Sequence, residues 1–140
     1  MSVKDLVVVG IGSSAGGLEA LQVMLSKLSE NLNCSYIIAQ HLSPTHRSMM
    51  VDLLSRITNI PVIEVQNGMV IKAKTIYMTP ENTDIFISNG RIYLKSIEHT
   101  YGPKPSVNYF FNSLAQSYGS KSIGIILSGT GSDGAFGIRA

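Results

Sequence analysis

Residues 6–17 read LVVVGIGSSAGG, and this stretch decides how the fold begins. It opens with a short, unbroken run of apolar and β-branched side chains, which is typical of a strand buried on both faces. The glycines and serines that follow indicate a sharp turn. Leucines then recur at helical spacing, at Leu18, Leu21, Leu25 and Leu28. The stretch therefore predicts a buried strand, a tight turn and an amphipathic helix in succession.

The rest of the chain alternates between strand-like and helical patterns. Apolar runs typical of strands lie at residues 36–39, 62–65, 76–78, 85–87, 92–94 and 122–127. Helical spacing of apolar residues lies within residues 49–57 and 106–119, where Gly119 supplies a stop. Asn89-Gly90 favours a hairpin, because both residues readily adopt positive φ. The pattern predicts an α/β fold of three layers, with a mainly parallel sheet between helices on both faces and an antiparallel hairpin.

The composition is that of one ordinary globular domain. The chain has 140 residues, of which 44% are apolar and 14% charged. A net charge of +2, with scattered Lys and Arg residues, argues against nucleic-acid binding. No apolar run approaches the roughly 20 residues that span a bilayer, no signal peptide is recognisable, and Cys34 is the only cysteine. These features predict a cytoplasmic protein without membrane insertion, disulfides or a cysteine-based metal site.

Chemically reactive side chains follow three of the predicted strands. Ser14 follows the first strand, His41 follows the second, and Asp133 lies in the turn after the last. Because the carboxyl ends of parallel strands meet at one edge of a sheet, we expect these residues to converge. They are the components of a hydrolase triad: a serine nucleophile, a histidine general base and an aspartate that orients the imidazole. His46 and His99 lie near a helix start and in a loop, where solvated or capping roles are more common.

The turn that contains Ser14 fits two different motifs. Residues 12–16 match the G-x-S-x-G nucleophile elbow, whereas residues 10–15 match the G-x-G-x-x-A dinucleotide fingerprint. These residues alone do not show whether the turn is a nucleophile elbow or a dinucleotide-binding turn. A dinucleotide site also needs an acidic residue roughly 20 positions later, but the second strand ends at Gln40-His41 and the nearest acid is Glu30, in the preceding connection. The second strand therefore favours the hydrolase, and a dinucleotide-binding α/β domain is the alternative.

The turn at residues 129–134 has a G-x-G-x-x-G spacing, which suggests phosphate binding. Asp133 argues against that, because its charge would repel a phosphate held in the same turn. Presentation of a carboxylate to an imidazole suits this turn better. A second role of Asp133 as the cap of a following helix is compatible with that chemistry.

The three motifs together resemble those of the CheB-type protein-glutamate methylesterases of bacterial chemotaxis. Those enzymes carry I-G-x-S-x-G-G after a strand, then Q-H near the next strand, and later G-x-G-x-D-G-A. The matching segments here are residues 11–17, 40–41 and 129–135, and residues 102–107 are similar to the family as well. The resemblance covers residues 6–140. Residues 31–34 and 39–46 look particularly like the esterase module of proteins fused to a receptor methyltransferase.

The resemblance implies a serine esterase that acts on chemoreceptors. It places the triad on Ser14, His41 and Asp133, and the oxyanion donors on the backbone N–H groups of Ala15 and Thr130. The family often has methionine at the position of Thr130, so this assignment depends on the backbone alone. The implied substrate is a glutamate γ-methyl ester in the cytoplasmic region of a methylated chemoreceptor, and some members also deamidate glutamine. The implied reaction needs no metal and no cofactor.

The resemblance also suggests partners and shows two departures. A fused or associated receptor methyltransferase is one expected partner, and a receiver domain, which regulates many family members, is another. The chain begins at the esterase domain, and it stops at Ala140, where a helix should begin to cover the sheet. We therefore interpret residues 1–140 as a CheB-type catalytic domain that is incomplete at its C-terminus. A catalytically inactive, esterase-like interaction domain is a further alternative.

Overall fold

The computed structural model describes residues 6–13, 18–40, 47–80, 83–95 and 107–127. The strands are β1 Val7–Ser13, β2 Cys34–Gln40, β3 Val62–Glu64, β4 Met69–Val70, β5 Thr75–Met78, β6 Asp84–Ser88, β7 Arg91–Lys95 and β8 Ser122–Leu127. The helices are α1 Leu18–Ser26, α2 Arg47–Ser55 and α3 Val107–Tyr118, and a 3-10 turn, Gly119–Lys121, follows α3. None of the helices in this part of the chain is long and apolar enough to cross a membrane.

Five of the strands form a parallel sheet in the order β3-β5-β2-β1-β8. β1 lies between β2 and β8 and pairs with both along most of its length. Its unbroken apolar sequence suits this position, since a strand inside a covered parallel sheet is buried on two sides. The mainly parallel sheet predicted from the sequence is confirmed.

Side chains alternate between the two faces of this sheet and build two separate cores. On β1, Val8 belongs to one core, whereas Val9 and Ile11 belong to the other. The first core also contains apolar residues of α3 and of the antiparallel strands, and the second contains those of α1 and α2. The sheet thus lies between two layers, as predicted. The face covered by α3 is called the α3 side below.

The other three strands form an antiparallel sheet in the order β4-β7-β6. Asn89 and Gly90 join β6 to β7, and their φ angles are 52° and 73°. This confirms the predicted hairpin turn, because a type I′ turn needs positive φ at both central positions. β4 adds a third strand that the sequence did not predict.

Helix α3 holds the outer edge of β6 through two serines. The backbone N–H of Ile87 donates to Oγ of Ser113 (2.9 Å), and Oγ of Ser117 donates to the carbonyl oxygen of Ile87 (3.0 Å). The two hydroxyls take the place of a neighbouring strand, and they satisfy backbone groups whose burial without partners would cost about 1–3 kcal/mol each. The antiparallel sheet is thereby fixed to α3.

Two glycines of β1 let α3 approach the parallel sheet closely. A Cβ atom on Gly12 would lie 2.7 Å from Cγ1 of Val107, and one on Gly10 would lie 2.8 Å from Cδ2 of Leu114. Both distances are well below the contact distance of two carbon atoms, which is about 3.5–4.0 Å. Gly10 and Gly12 are therefore packing residues. They allow the first turn of α3 to lie against the carboxyl end of β1.

We expect Gly12→Ala to lower the free energy of unfolding by about 1–3 kcal/mol, the usual cost of overpacking a core. Val107 is buried and β-branched, so its side chain cannot rotate away from a new methyl group cheaply. Chemical denaturation of the wild-type protein and the variant measures the difference. When Val107 is alanine, the same glycine substitution should cost much less. An equal cost with and without the Val107 side chain would contradict this contact.

Candidate active site

β2, β1 and β8 end side by side at the carboxyl edge of the parallel sheet. Ser13, the last residue of β1, is level with Gln40 on β2 and with Leu127 on β8. Neighbouring strands lie about 4.8 Å apart, so the chain leaves the sheet at three points within roughly 10 Å of one another. In open α/β sheets, functional groups gather at this edge.

The predicted site residues themselves lie outside the described residues. Ser14 and His41 directly follow the last residues of β1 and β2, and Asp133 comes six positions after the end of β8. The predicted oxyanion donors, Ala15 and Thr130, also lie outside. The structure describes the strands that lead to these residues, and the triad stays a prediction.

Ser13 and Ser14 are adjacent in the sequence, and the burial of Ser13 bears on which one can react. Ser13 is the last residue of β1 and only 4% exposed. It continues the alternation of Val9 and Ile11, whose side chains lie in the core formed with α1 and α2. Its hydroxyl is therefore enclosed next to that core, which argues against Ser13 as a nucleophile that must reach a large substrate.

The position of the glycines in β1 disfavours the dinucleotide alternative. In a dinucleotide fingerprint the glycines form the turn after the strand, where the backbone approaches the pyrophosphate. Here Gly10 and Gly12 lie within β1, level with Ile37 and Ala39 of β2, and side chains of α3 cover them. Their lack of a side chain is already explained by the helix contact.

One polar residue at this edge is missing from the sequence-based prediction. Thr79 follows β5 and is 4% exposed, and its backbone N–H donates to the carbonyl oxygen of Ile38 on β2 (3.0 Å). Its Oγ1 atom is buried and has no hydrogen-bond partner among the described residues. The available signal was a polar residue placed directly after a buried strand, the same signal that singled out Ser14 and His41.

A polar pocket of about 400 Å³ lies at the opposite edge of the sheet. Its walls come from the C-terminal ends of α1 and α2 and from the connections into β2 and β3, and they include Glu30 and Arg56. These connections precede the strands, so the pocket is about a strand length away from the candidate active site. Within the described ranges, no three His, Cys, Asp or Glu side chains are placed to hold a metal ion.

Two tyrosines in the described part of the chain have raised pKa values. Burial, with a smaller effect of the Cys34 thiol, raises the pKa of Tyr36 to about 12, and burial also raises the pKa of Tyr118. Both phenols therefore stay neutral in the pH range where an imidazole titrates. Neither phenol is therefore a source of a change in activity near neutral pH.

The chain matches one protein family along most of its length. The family model described as CheB methylesterase matches residues 9–140. A protein-glutamate methylesterase/protein-glutamine glutaminase of Syntrophus aciditrophicus is 34% identical over 137 residues, which are 97% of this chain and 39% of that protein. A putative enzyme of the same name from Leptospira interrogans is 31% identical over 130 residues, 92% of this chain and 67% of that protein. The chain thus spans less than half the length of the first of these relatives.

A solved structure shares the fold. The match to the Thermotoga maritima CheB methylesterase catalytic domain has a TM-score of 0.82 at 27% identity, and it covers 94% of this chain and 71% of that chain. The parallel sheet, its helices and the antiparallel strands therefore form the fold of that catalytic domain. The resemblance stated from the sequence is confirmed: the chain belongs to the CheB methylesterase family.

Proposed function

We propose that the protein carrying this chain is a serine esterase that hydrolyses methyl esters of glutamate side chains in chemoreceptors, with glutamine amides as second substrates. The observation that carries the proposal is the register of three neighbouring strands. Ser13 at the end of β1 pairs with Gln40 at the end of β2 and with Leu127 at the end of β8, so the three strands end side by side at the carboxyl edge. Ser14 and His41 directly follow two of these residues. Relatives that carry the names of both activities support the choice of substrates.

In the proposed reaction Ser14, His41 and Asp133 form the triad. His41 takes the proton from Oγ of Ser14 while this oxygen bonds to the ester carbonyl carbon, and Asp133 stabilises the imidazolium that forms. The carbonyl oxygen becomes an oxyanion that accepts hydrogen bonds from the backbone N–H groups of Ala15 and Thr130. The bond to the methoxy oxygen then breaks, and His41 protonates that oxygen as methanol leaves.

Water completes the cycle. His41 removes a proton from the water molecule as its oxygen attacks the acyl-enzyme carbonyl, and the bond to Oγ of Ser14 then breaks as His41 returns the proton to the serine. The products are a glutamate carboxylate, methanol and the free enzyme. With glutamine the leaving group is ammonia, and the other steps are the same.

The proposal also covers the domain that carries out the reaction, the compartment in which it takes place and the partner proteins. Residues 1–140 are taken as part of one catalytic domain, and the protein acts in the cytoplasm, where the methylated region of a chemoreceptor lies. A receptor methyltransferase and a receiver domain, fused or associated, are the further partners that the resemblance implies.

Methanol release from a methylated receptor fragment tests this function. The whole protein that contains the chain is incubated with the fragment, and methanol is measured by gas chromatography. A fragment whose methylated glutamates are replaced by alanine serves as the control and should release none. If the methylated fragment also releases none, while NAD(P) binds tightly and a fluorophosphonate labels no serine, the dinucleotide alternative is supported. If neither turnover nor NAD(P) binding is found, the protein is an inactive interaction domain.

A further inference from the structure

Two stacked aromatic rings lie on the outer face of the antiparallel sheet, opposite the core. Ile85 on β6 and Ile92 on β7 are fully buried in the core on the α3 side. Their neighbours Phe86 and Tyr93 therefore lie on the outer face. These two residues are paired in the register of the strands, and their ring centroids are 5.2 Å apart at an angle of 19°. Both are partly exposed, so the outer face presents aromatic area that the core does not use.

Helix α3 adds a third ring to this pair, and β7 adds a positive charge. Tyr109 is in edge contact with Phe86, with 6.2 Å between the centroids, and Nζ of Lys95 lies 5.3 Å from the centre of the Tyr109 ring. Tyr109 is 38% exposed, and Lys95 is exposed as well. We call Phe86, Tyr93, Lys95 and Tyr109 the aromatic surface. Exposed aromatic side chains are enriched where proteins bind one another, because they bury a large area at a low cost in conformational entropy.

The charges on this face fit an acidic partner. Arg91 and Lys95 are exposed and lie on the outer face of β7, on either side of Tyr93 along the strand. The only acidic residue of β6 and β7 is Asp84, which is 2% exposed. A partner that contacts these two strands therefore meets two cations at the surface, and carboxylates on the partner are attracted to them.

The aromatic surface lies beside the candidate active site. Val107, the first residue of α3, packs against the carboxyl end of β1 at Gly12. Tyr109 is two positions further along the same helical turn, so it lies on the other side of the helix, about 10 Å away. A segment of about three extended residues spans this distance. A substrate whose reacting side chain is at the carboxyl edge can therefore contact the aromatic surface at the same time.

We infer that the aromatic surface is a docking site for an acidic segment of the chemoreceptor, next to the glutamate ester that reacts. This inference rests on the proposed function, which supplies the receptor as substrate. Each hydrolysed ester leaves a glutamate carboxylate on the receptor, so the chain around the remaining esters carries negative charge. The rings contact apolar parts of that segment, and Lys95 and Arg91 attract its carboxylates. The aromatic surface contributes to binding and takes no part in the bond-breaking steps.

Binding of a receptor fragment to the whole protein tests the docking site. The probe is a fluorescein-labelled fragment with free glutamates at the methylated positions, which carries the charge of the product and is not hydrolysed. We expect Lys95→Glu and Tyr109→Ala each to raise its Kd, measured by fluorescence anisotropy, about tenfold. Lys95→Arg and Tyr109→Phe retain the charge and the ring, and their Kd should stay close to that of the wild-type protein.

Lys27→Glu is the matched control, because it makes the same change of charge at another place. Lys27 is exposed and directly follows α1, which packs on the other face of the parallel sheet. Its substitution should leave the Kd unchanged. Wild-type Kd values in both Lys95→Glu and Tyr109→Ala overturn the inference, and so does an equal rise of the Kd in Lys95→Glu and Lys27→Glu.

Turnover separates this inference from the proposed function. With the methylated fragment, Lys95→Glu should raise KM about tenfold and change kcat little, as expected for lost binding. Methanol release with an unchanged KM and Kd in this variant overturns the docking site and leaves the proposed function standing. If the wild-type protein releases no methanol while Lys95→Glu still weakens binding, the proposed function fails and the docking site stands. A labelled single-stranded oligonucleotide that binds more tightly than the fragment would assign the surface to nucleic acid and overturn the inference.

Discussion

Ser14→Ala is expected to abolish methanol release from a methylated receptor. Ser14 supplies the oxygen that forms the proposed acyl-enzyme, and loss of such a nucleophile lowers kcat by about 10⁴–10⁶-fold in triad hydrolases. Initial rates of the wild-type protein and of Ser14→Ala measure the effect. Mass spectrometry after fluorophosphonate treatment provides a second measurement, because the wild-type protein should gain one label and the variant none.

The adjacent serine provides a matched control for this experiment. Ser13 is buried at the end of β1, level with Gln40 and Leu127. Its replacement by alanine should lower the free energy of unfolding by about 1 kcal/mol, the worth of a typical hydrogen bond, and leave kcat nearly unchanged. If Ser13→Ala abolished turnover while Ser14→Ala kept it, the nucleophile would be Ser13 and the triad assignment would be wrong.

The fold could be predicted from the sequence because most of its signals are local and periodic. The unbroken apolar run of β1 predicts a strand buried on both faces, and the leucine spacing after it predicts α1. Asn89-Gly90 predicts the hairpin, and both residues have the positive φ that this turn requires. β4 could not be predicted in this way, because the two residues Met69 and Val70 are too few to contain a period.

The environment of the candidate site could be predicted only in part, because it depends on contacts between distant parts of the chain. In the sequence, Gly10 and Gly12 fit either a nucleotide-binding turn or a close contact with a helix. Which of the two applies depends on the packing of α3, which begins far along the chain at Val107. The burial of Thr79 likewise depends on β2 and β3, which pair with β5 on either side. Convergence of the strand ends was predictable, since it follows from the parallel arrangement alone.

Asp133→Asn is expected to lower kcat about 10⁴-fold, as loss of the triad carboxylate does in serine proteases, while the fold stays intact. In the proposed mechanism this carboxylate holds His41 in the tautomer that accepts the serine proton, and it stabilises the imidazolium. An amide supplies no negative charge and can hold the wrong tautomer. Initial rates with the methylated receptor fragment and the midpoint of thermal unfolding measure activity and stability separately.

The same substitution distinguishes the catalytic role of Asp133 from helix capping. Asparagine and aspartate cap helices almost equally well, so Asp133→Asn would change neither stability nor kcat if the residue were only a cap. Asp52→Asn removes a carboxylate from an exposed position of α2 and is the control for a general effect of charge. If the Asp133 variant alone loses kcat while its stability is unchanged, the result supports the role of Asp133 as the carboxylate that orients His41. If both variants keep full kcat, the carboxylate that orients His41 lies elsewhere, and the triad assignment of Asp133 is wrong.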